Sequence, residues 1–158
     1  MKSAFLNMLE NLEKWMERAL AEARAAWRKQ EVPVGAVLID ANDNLLAAAC
    51  NCTVSLSDPT AHAEILALRR AGRKAGNYRL LNTTLYATVE PCLMCMGAII
   101  HARVGRVVFG APDVKWGAAG SLYHFGRDER LNHRPEVVGG ILQKECGDLM
   151  LDFFRSKR

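Results

Sequence analysis

Val89-Glu-Pro-Cys-Leu-Met-Cys-Met-Gly97 is the stretch on which the reading of this 158-residue chain turns. Running into its first residue, Thr84-Leu-Tyr-Ala-Thr-Val89 is β-branched, aromatic and apolar, which predicts a buried strand. After it, Met96, Ile99, Ile100 and Arg103 recur at helical spacing, which predicts a helix over residues 93–102. Pro91 then falls at a strand-to-helix junction, where a fixed φ and a missing N–H cost nothing. Cys92 and Cys95 are three residues apart, so both sulfurs face one point of the helix surface. The unpaired N–H groups and positive dipole of a helix start favour thiolates. Such a pair suits a soft metal ion.

Two sulfurs do not complete a site. Upstream, Asp58-Pro-Thr-Ala-His-Ala-Glu-Ile65 offers His62 and Glu64 at another predicted helix start. His62, Cys92 and Cys95 make three mixed nitrogen and sulfur ligands and leave a fourth position for water, the pattern of a catalytic zinc. Glu64 must then stay off the metal, because a fourth protein ligand would displace that water. A structural zinc is the alternative, with Cys50, Cys52, Cys146, His101 or His133 as sources of a fourth ligand. The order His-x-Glu followed by Pro-Cys-x-x-Cys is the general signature of zinc-dependent nucleobase deaminases.

Further segments narrow the match. Asp58–Ile65, Glu90-Pro-Cys-Leu-Met-Cys-Met-Gly-Ala98, Gly117-Ala-Ala-Gly-Ser-Leu122, Leu131-Asn-His-Arg134 and Val32-Pro-Val-Gly-Ala36 resemble the bacterial tRNA adenosine deaminase family, within the cytidine and deoxycytidylate deaminase superfamily. The likeness runs from about residue 12 to residue 158. It implies a three-layer α/β/α fold, a central five-stranded mixed sheet with helices on both faces. It implies one zinc per subunit and hydrolysis of the wobble adenosine of a tRNA anticodon stem-loop to inosine. Glu64 would carry protons, the Pro91 carbonyl would accept from the departing amino group, and Asn51 would contact the target adenosine. Asp113 and Lys115 match positions that touch the nucleic-acid backbone, and Asn132 and His133 also match. The family is homodimeric, with RNA contacts from both subunits. Two departures stand out: Cys50-Asn-Cys52 replaces residues that are commonly aromatic and basic, and Trp116 replaces something smaller.

Outward from the site, the chain reads as one domain over residues 1–158, with residues 1–7 as a flexible extension. Leu12, Trp15, Met16, Ala19, Leu20, Ala23 and Trp27 form one apolar stripe, predicting a helix over 8–29. Val32–Ile39 is a continuous apolar run, a strand covered on both faces, and Leu45–Cys50 returns as its hairpin partner. Asp58 or Thr60 is positioned to cap the His62 helix, which is expected to end near Ala71-Gly72. Strand, Cys helix and a strand at 105–109 make a β–α–β unit with parallel strands. The Gly- and Ala-rich loop 110–121 follows at a carboxyl strand end, where open α/β sheets place ligands. Glu136–Val138 is a short last strand, and Leu142, Cys146, Leu149 and Phe153 stripe a final helix.

That helix ends in Asp152-Phe-Phe-Arg-Ser-Lys-Arg158. Phe153 and Phe154 suit base stacking and Arg155 suits phosphate; equally, the phenylalanines anchor a helix whose dipole the cations complement. Arg69, Arg70, Arg73, Lys74 and Arg79 are either a solvated face or a phosphate-facing patch. Net charge is +4, which permits an anionic partner without demanding one. Five cysteines without a pairing pattern argue for reduced thiols in a cytoplasm. No apolar run approaches the roughly 20 residues that span a bilayer. Two other functions use the same residues: deamination of a free base or nucleoside (cytosine, cytidine or guanine), and nucleic-acid binding with a structural zinc.

Overall fold

The computed structural model describes residues 2–158. Helix α1 (Lys2–Arg28) leads into strands β1 (Gly35–Ile39) and β2 (Leu45–Cys50). Then come α2 (Ala63–Ala75), β3 (Thr84–Val89), α3 (Leu93–His101), β4 (Arg106–Ala111), a 3-10 turn (Phe125–Arg127), β5 (Glu136–Val138) and α4 (Gln143–Ser156). The five strands form one sheet in the order β2-β1-β3-β4-β5. β1 is antiparallel to both β2 and β3, whereas β3, β4 and β5 run parallel. The sheet is therefore mixed, as expected.

Alternation along the strands divides the core in two. Ala36, Leu38, Leu85, Ala87, Val107 and Phe109 face one side and pack with α2 and α3 through Ala67, Leu68, Met96 and Ile99. Val37, Ile39, Tyr86 and Val108 face the other and meet the α1 stripe and Cys146 of α4. A strand sandwiched between helices must be apolar at every position, and β1 is buried throughout.

Three expectations are corrected. Residues 2–7, read as a flexible extension, continue α1 from Lys2; they hold no proline or glycine, and a helix nucleated on a buried stripe extends readily. Met1 lies outside the described residues. α2 passes through Gly72 to Ala75, because the left-handed residue that closes it is Gly76, at φ 63, whose N–H reaches the carbonyls of Arg73 and Gly72. Neither Asp58 nor Thr60 caps α2. Asp58 Oδ1 instead accepts from the Thr60 N–H and hydroxyl at 2.8 and 2.7 Å, and His62 itself is the N-cap residue.

Candidate active site

His62 and Cys92 are the N-cap residues of α2 and α3, both in extended conformation, and neither side chain caps its own helix. At most helix starts that position spends its side chain on the first N–H groups. Here the two side chains point at each other instead. Nδ1 of His62 lies 3.6 Å from Sγ of Cys92 and 3.5 Å from Sγ of Cys95, which is one turn further along α3. A tetrahedral zinc with bonds of about 2.3 Å to sulfur and about 2.05 Å to nitrogen has nitrogen–sulfur edges of about 3.6 Å. The triangle fits that ion. Among the described residues, these three are the His, Cys, Asp or Glu group whose donor atoms come within reach of one ion.

Electrostatics agree. The Cys92 thiol is brought down to about 4 by its hydrogen bond from Cys95 and by His62, against the opposing effect of burial. Cys95 is pushed up by the same hydrogen bond and by burial. His62 is raised, chiefly through its bond to Cys92. The three groups thus share protons that a cation would replace. Glu64, in the first turn of α2, is only 4 % exposed. Burial pushes its carboxyl up, opposed by its own backbone N–H and by His62. Its Oε2 is buried without a hydrogen-bond partner. An orphaned carboxylate oxygen beside a three-donor metal group leaves a polar position for a reacting molecule to fill.

Comparison with known proteins adds to this geometry. The family model for the cytidine and deoxycytidylate deaminase zinc-binding region matches residues 9–111. A tRNA-specific adenosine deaminase of Haemophilus influenzae is 51 % identical over 92 % of this chain and 84 % of its own length. That of Bacillus subtilis is 45 % identical over 92 % and 90 %. The chain belongs to the tRNA-specific adenosine deaminase family. A solved structure from a study of A-to-I editing by tRNA:A34 deaminases is 42 % identical, with a TM-score of 0.83 over 86 % of this chain and 98 % of the other. A guanine deaminase from Nitrosomonas europaea shares the fold more distantly, at 27 % identity and TM-score 0.78 over 89 % and 83 %. Zinc is the family's metal, and the His62, Cys92 and Cys95 triangle is where this member can hold it.

The sheet brings several other residues of this deaminase to the same end. β1 starts, and β2, β3 and β4 finish, beside one another: Gly35 pairs with Cys50 and donates to Thr88, and Val89 pairs with Ala111. Asn51 follows β2 there, 6 % exposed, its backbone N–H on Val34. The Pro91 carbonyl accepts from Ala118 N–H at 2.9 Å and retains a second lone pair. Asp113 and Lys115 lie on the adjoining loop, where Asp113 Oδ1 accepts from Lys115 N–H. Cys50 and Cys52 have sulfurs 4.0 Å apart beside Lys29, outside the metal triangle.

Others are placed elsewhere. Asn132 accepts from Arg103, just beyond the far end of α3, and His133 donates to the Val104 carbonyl. Within one chain, Asn132 is therefore a helix length from the cysteines. Phe153 is 4 % exposed and meets Trp27 edge-on, so it has no open face for a base. Its expected stacking role is corrected to an anchoring one; Phe154 is the half-exposed ring. Two residues escaped the sequence reading. Glu90 is buried and takes the N–H groups of Asp113, Ala119 and Ser121 and the Ser121 hydroxyl. Glu31 does the same for Val54, Ser55 and Thr53. The only hint at Glu90 was a charged residue between an apolar strand and a proline.

Proposed function

We propose that the protein hydrolyses the wobble adenosine of a tRNA anticodon stem-loop to inosine, releasing ammonia. His62, Cys92 and Cys95 hold the zinc, which when bound supplies an activated water for hydrolysis. Glu64 moves the protons one at a time: its unpartnered Oε2 accepts the first from the attacking water and passes it to ring N1, then takes the second from the new C6 hydroxyl and passes it to the departing amine. The raised affinity of the buried Glu64 carboxyl for a proton suits both halves of that task. The free lone pair of the Pro91 carbonyl receives the amino group, and Asn51 orients the base. The target base must leave its stack to reach so enclosed a place. In this reading Asp113 and Lys115, on the loop that bridges to Cys92, and the exposed Phe154 and Arg155 of α4 contact the rest of the RNA, and Asn132 serves from a second subunit.

The observation that carries this reading is the buried, unpartnered Glu64 oxygen beside three donors spaced for zinc. A structural zinc would need a fourth ligand, and no fourth donor joins the group among the described residues. The free-base alternative is disfavoured, since the likeness to tRNA-specific enzymes far exceeds that to the guanine deaminase.

We further assign the active form as a homodimer. Ile65, Leu68, Leu80, Met94, Ala98 and Ala102 line an apolar groove of about 700 Å³ between α2 and α3, a surface for a second copy. No helix among the described residues is long and apolar enough to cross a membrane. With its five cysteines free, the protein is assigned to the reducing cytoplasm.

Incubating zinc-loaded protein with an adenosine-containing anticodon stem-loop, then digesting to nucleosides, is the direct test. Inosine should appear in proportion to enzyme. Loss of free guanine or cytosine with no inosine in the RNA would overturn the reading.

A further inference from the structure

Trp116 is 67 % exposed, on a loop whose backbone is firmly held. Asp113 Oδ1 accepts from Trp116 N–H at 3.2 Å, and the Asp113 carbonyl accepts from Gly117 N–H at 2.8 Å. Gly117 pairs with Cys92 as an isolated antiparallel bridge, and Ala118 donates to Pro91. The buried Glu90 carboxylate gathers N–H groups from both sides of the tryptophan. The indole is thus presented by a fixed backbone, one residue from the segment that lies against a metal-binding cysteine. Among the described residues, no aromatic ring or cation lies against it. An exposed indole on a held backbone, with no such neighbour covering it, leaves a flat face free for stacking.

The substrate provides one. When the target adenosine leaves its stack, the nucleotide beside it loses a neighbour and bares a face. An indole offers that base an equivalent surface whatever its identity, and the exposed ammonium of Lys115 adjoins it for the phosphate. We propose that Trp116 stacks on the unpaired nucleotide flanking the target adenosine, and so makes this chain's grip on single-stranded RNA stronger than a small residue there would allow. The proposal rests on the deaminase reading above.

The test compares the parent, Trp116→Ala and Trp116→Phe on an intact stem-loop and on two stem-loops with an abasic nucleotide 5′ or 3′ of the target. Trp116→Ala should raise KM for the intact RNA about tenfold, with kcat changed far less, and Trp116→Phe should stay within about threefold of the parent. One of the two abasic RNAs should cost the parent the same factor and cost Trp116→Ala nothing more. An unchanged KM in Trp116→Ala overturns the proposal, as do losses that multiply on both abasic RNAs. A parent dimer that dissociates on Trp116→Ala, seen by sedimentation, also overturns it, since the residue is then a subunit contact. If the parent makes no inosine in any stem-loop, the deaminase reading itself has failed; if it does and the variants behave alike, only the stacking has.

Discussion

At the scale of single residues, the proposed chemistry turns on one buried oxygen without a partner, Oε2 of Glu64. Glu64→Ala removes the carboxyl and leaves His62, Cys92 and Cys95 untouched. Inosine formation should fall by roughly 10²–10⁴-fold or more, since one group serves several proton transfers. Zinc content by elemental analysis should remain at one per chain, and activity within a few-fold of the parent would remove Glu64 from the mechanism. The metal residues were legible in the sequence because their spacing is local: Cys92 and Cys95 are one helical turn apart, and each half of the site opens a helix. Glu90 and Glu31 were not legible. Their donors come from loops more than twenty residues away, and nothing in the one-dimensional pattern separates a buried carboxylate from a solvated one.

At the scale of elements, strand periods survived into the structure and helix ends did not. β2, β3 and β5 match their expected limits, because alternation between two packed faces restricts register. Helix ends depend on where a left-handed residue is affordable, and Gly72 and Gly76 are equally good candidates on paper. Loops are placed by the carboxylates that collect their N–H groups. Glu31, just beyond α1, is 1 % exposed and holds Val54 and Ser55 by their backbone. Burial alone would raise its carboxyl, but donors from Ser55, Val54 and Thr53 prevail and hold it below its ordinary value. A lowered folded value means stabilisation that is complete above the unfolded value of about 4.3 and is lost as pH falls through the folded one. Glu31→Gln should therefore cost about 1–3 kcal/mol near pH 7. The gap between parent and variant in urea denaturation should narrow in acid, where the parent too is protonated. An equal gap at pH 7 and pH 3.5 would show that shape, not charge, is what the loop requires.

At the scale of the whole molecule, the antiparallel entry of β1 into an otherwise parallel set determines what meets what. It turns the end of α1 toward the end of β3, so Trp27 and Gln30 lie at the same end of the sheet as Cys92. α4 reaches that end from the opposite face: Phe153 packs on Trp27, and Lys157 donates to Gln30 at 2.6 Å. The basic terminus is thereby carried toward the site although α4 and the metal-bearing helices lie on different sides of the sheet. Under the proposed function, this is what makes a helix ending in cations available to RNA. Removing the tail after Leu151 would delete Phe153 and unseat α1, so a fall in activity there would say little. Lys157 is likewise committed to Gln30 and to the Phe153 ring, 5.2 Å away. Arg155 has only an exposed partner, Asp152, at 3.8 Å, and such pairs hold weakly. The informative variant is therefore Arg155→Ala with Arg158→Ala, which spares every buried neighbour. Each phosphate that is no longer neutralised should lower the slope of log KM against log salt by about 0.7 for a single strand. The double variant should show a raised KM for the stem-loop at low salt, convergence with the parent at high salt, and an unchanged melting temperature. If the two salt profiles coincide, Arg155 and Arg158 do not touch phosphate, and the RNA reading of these two residues falls.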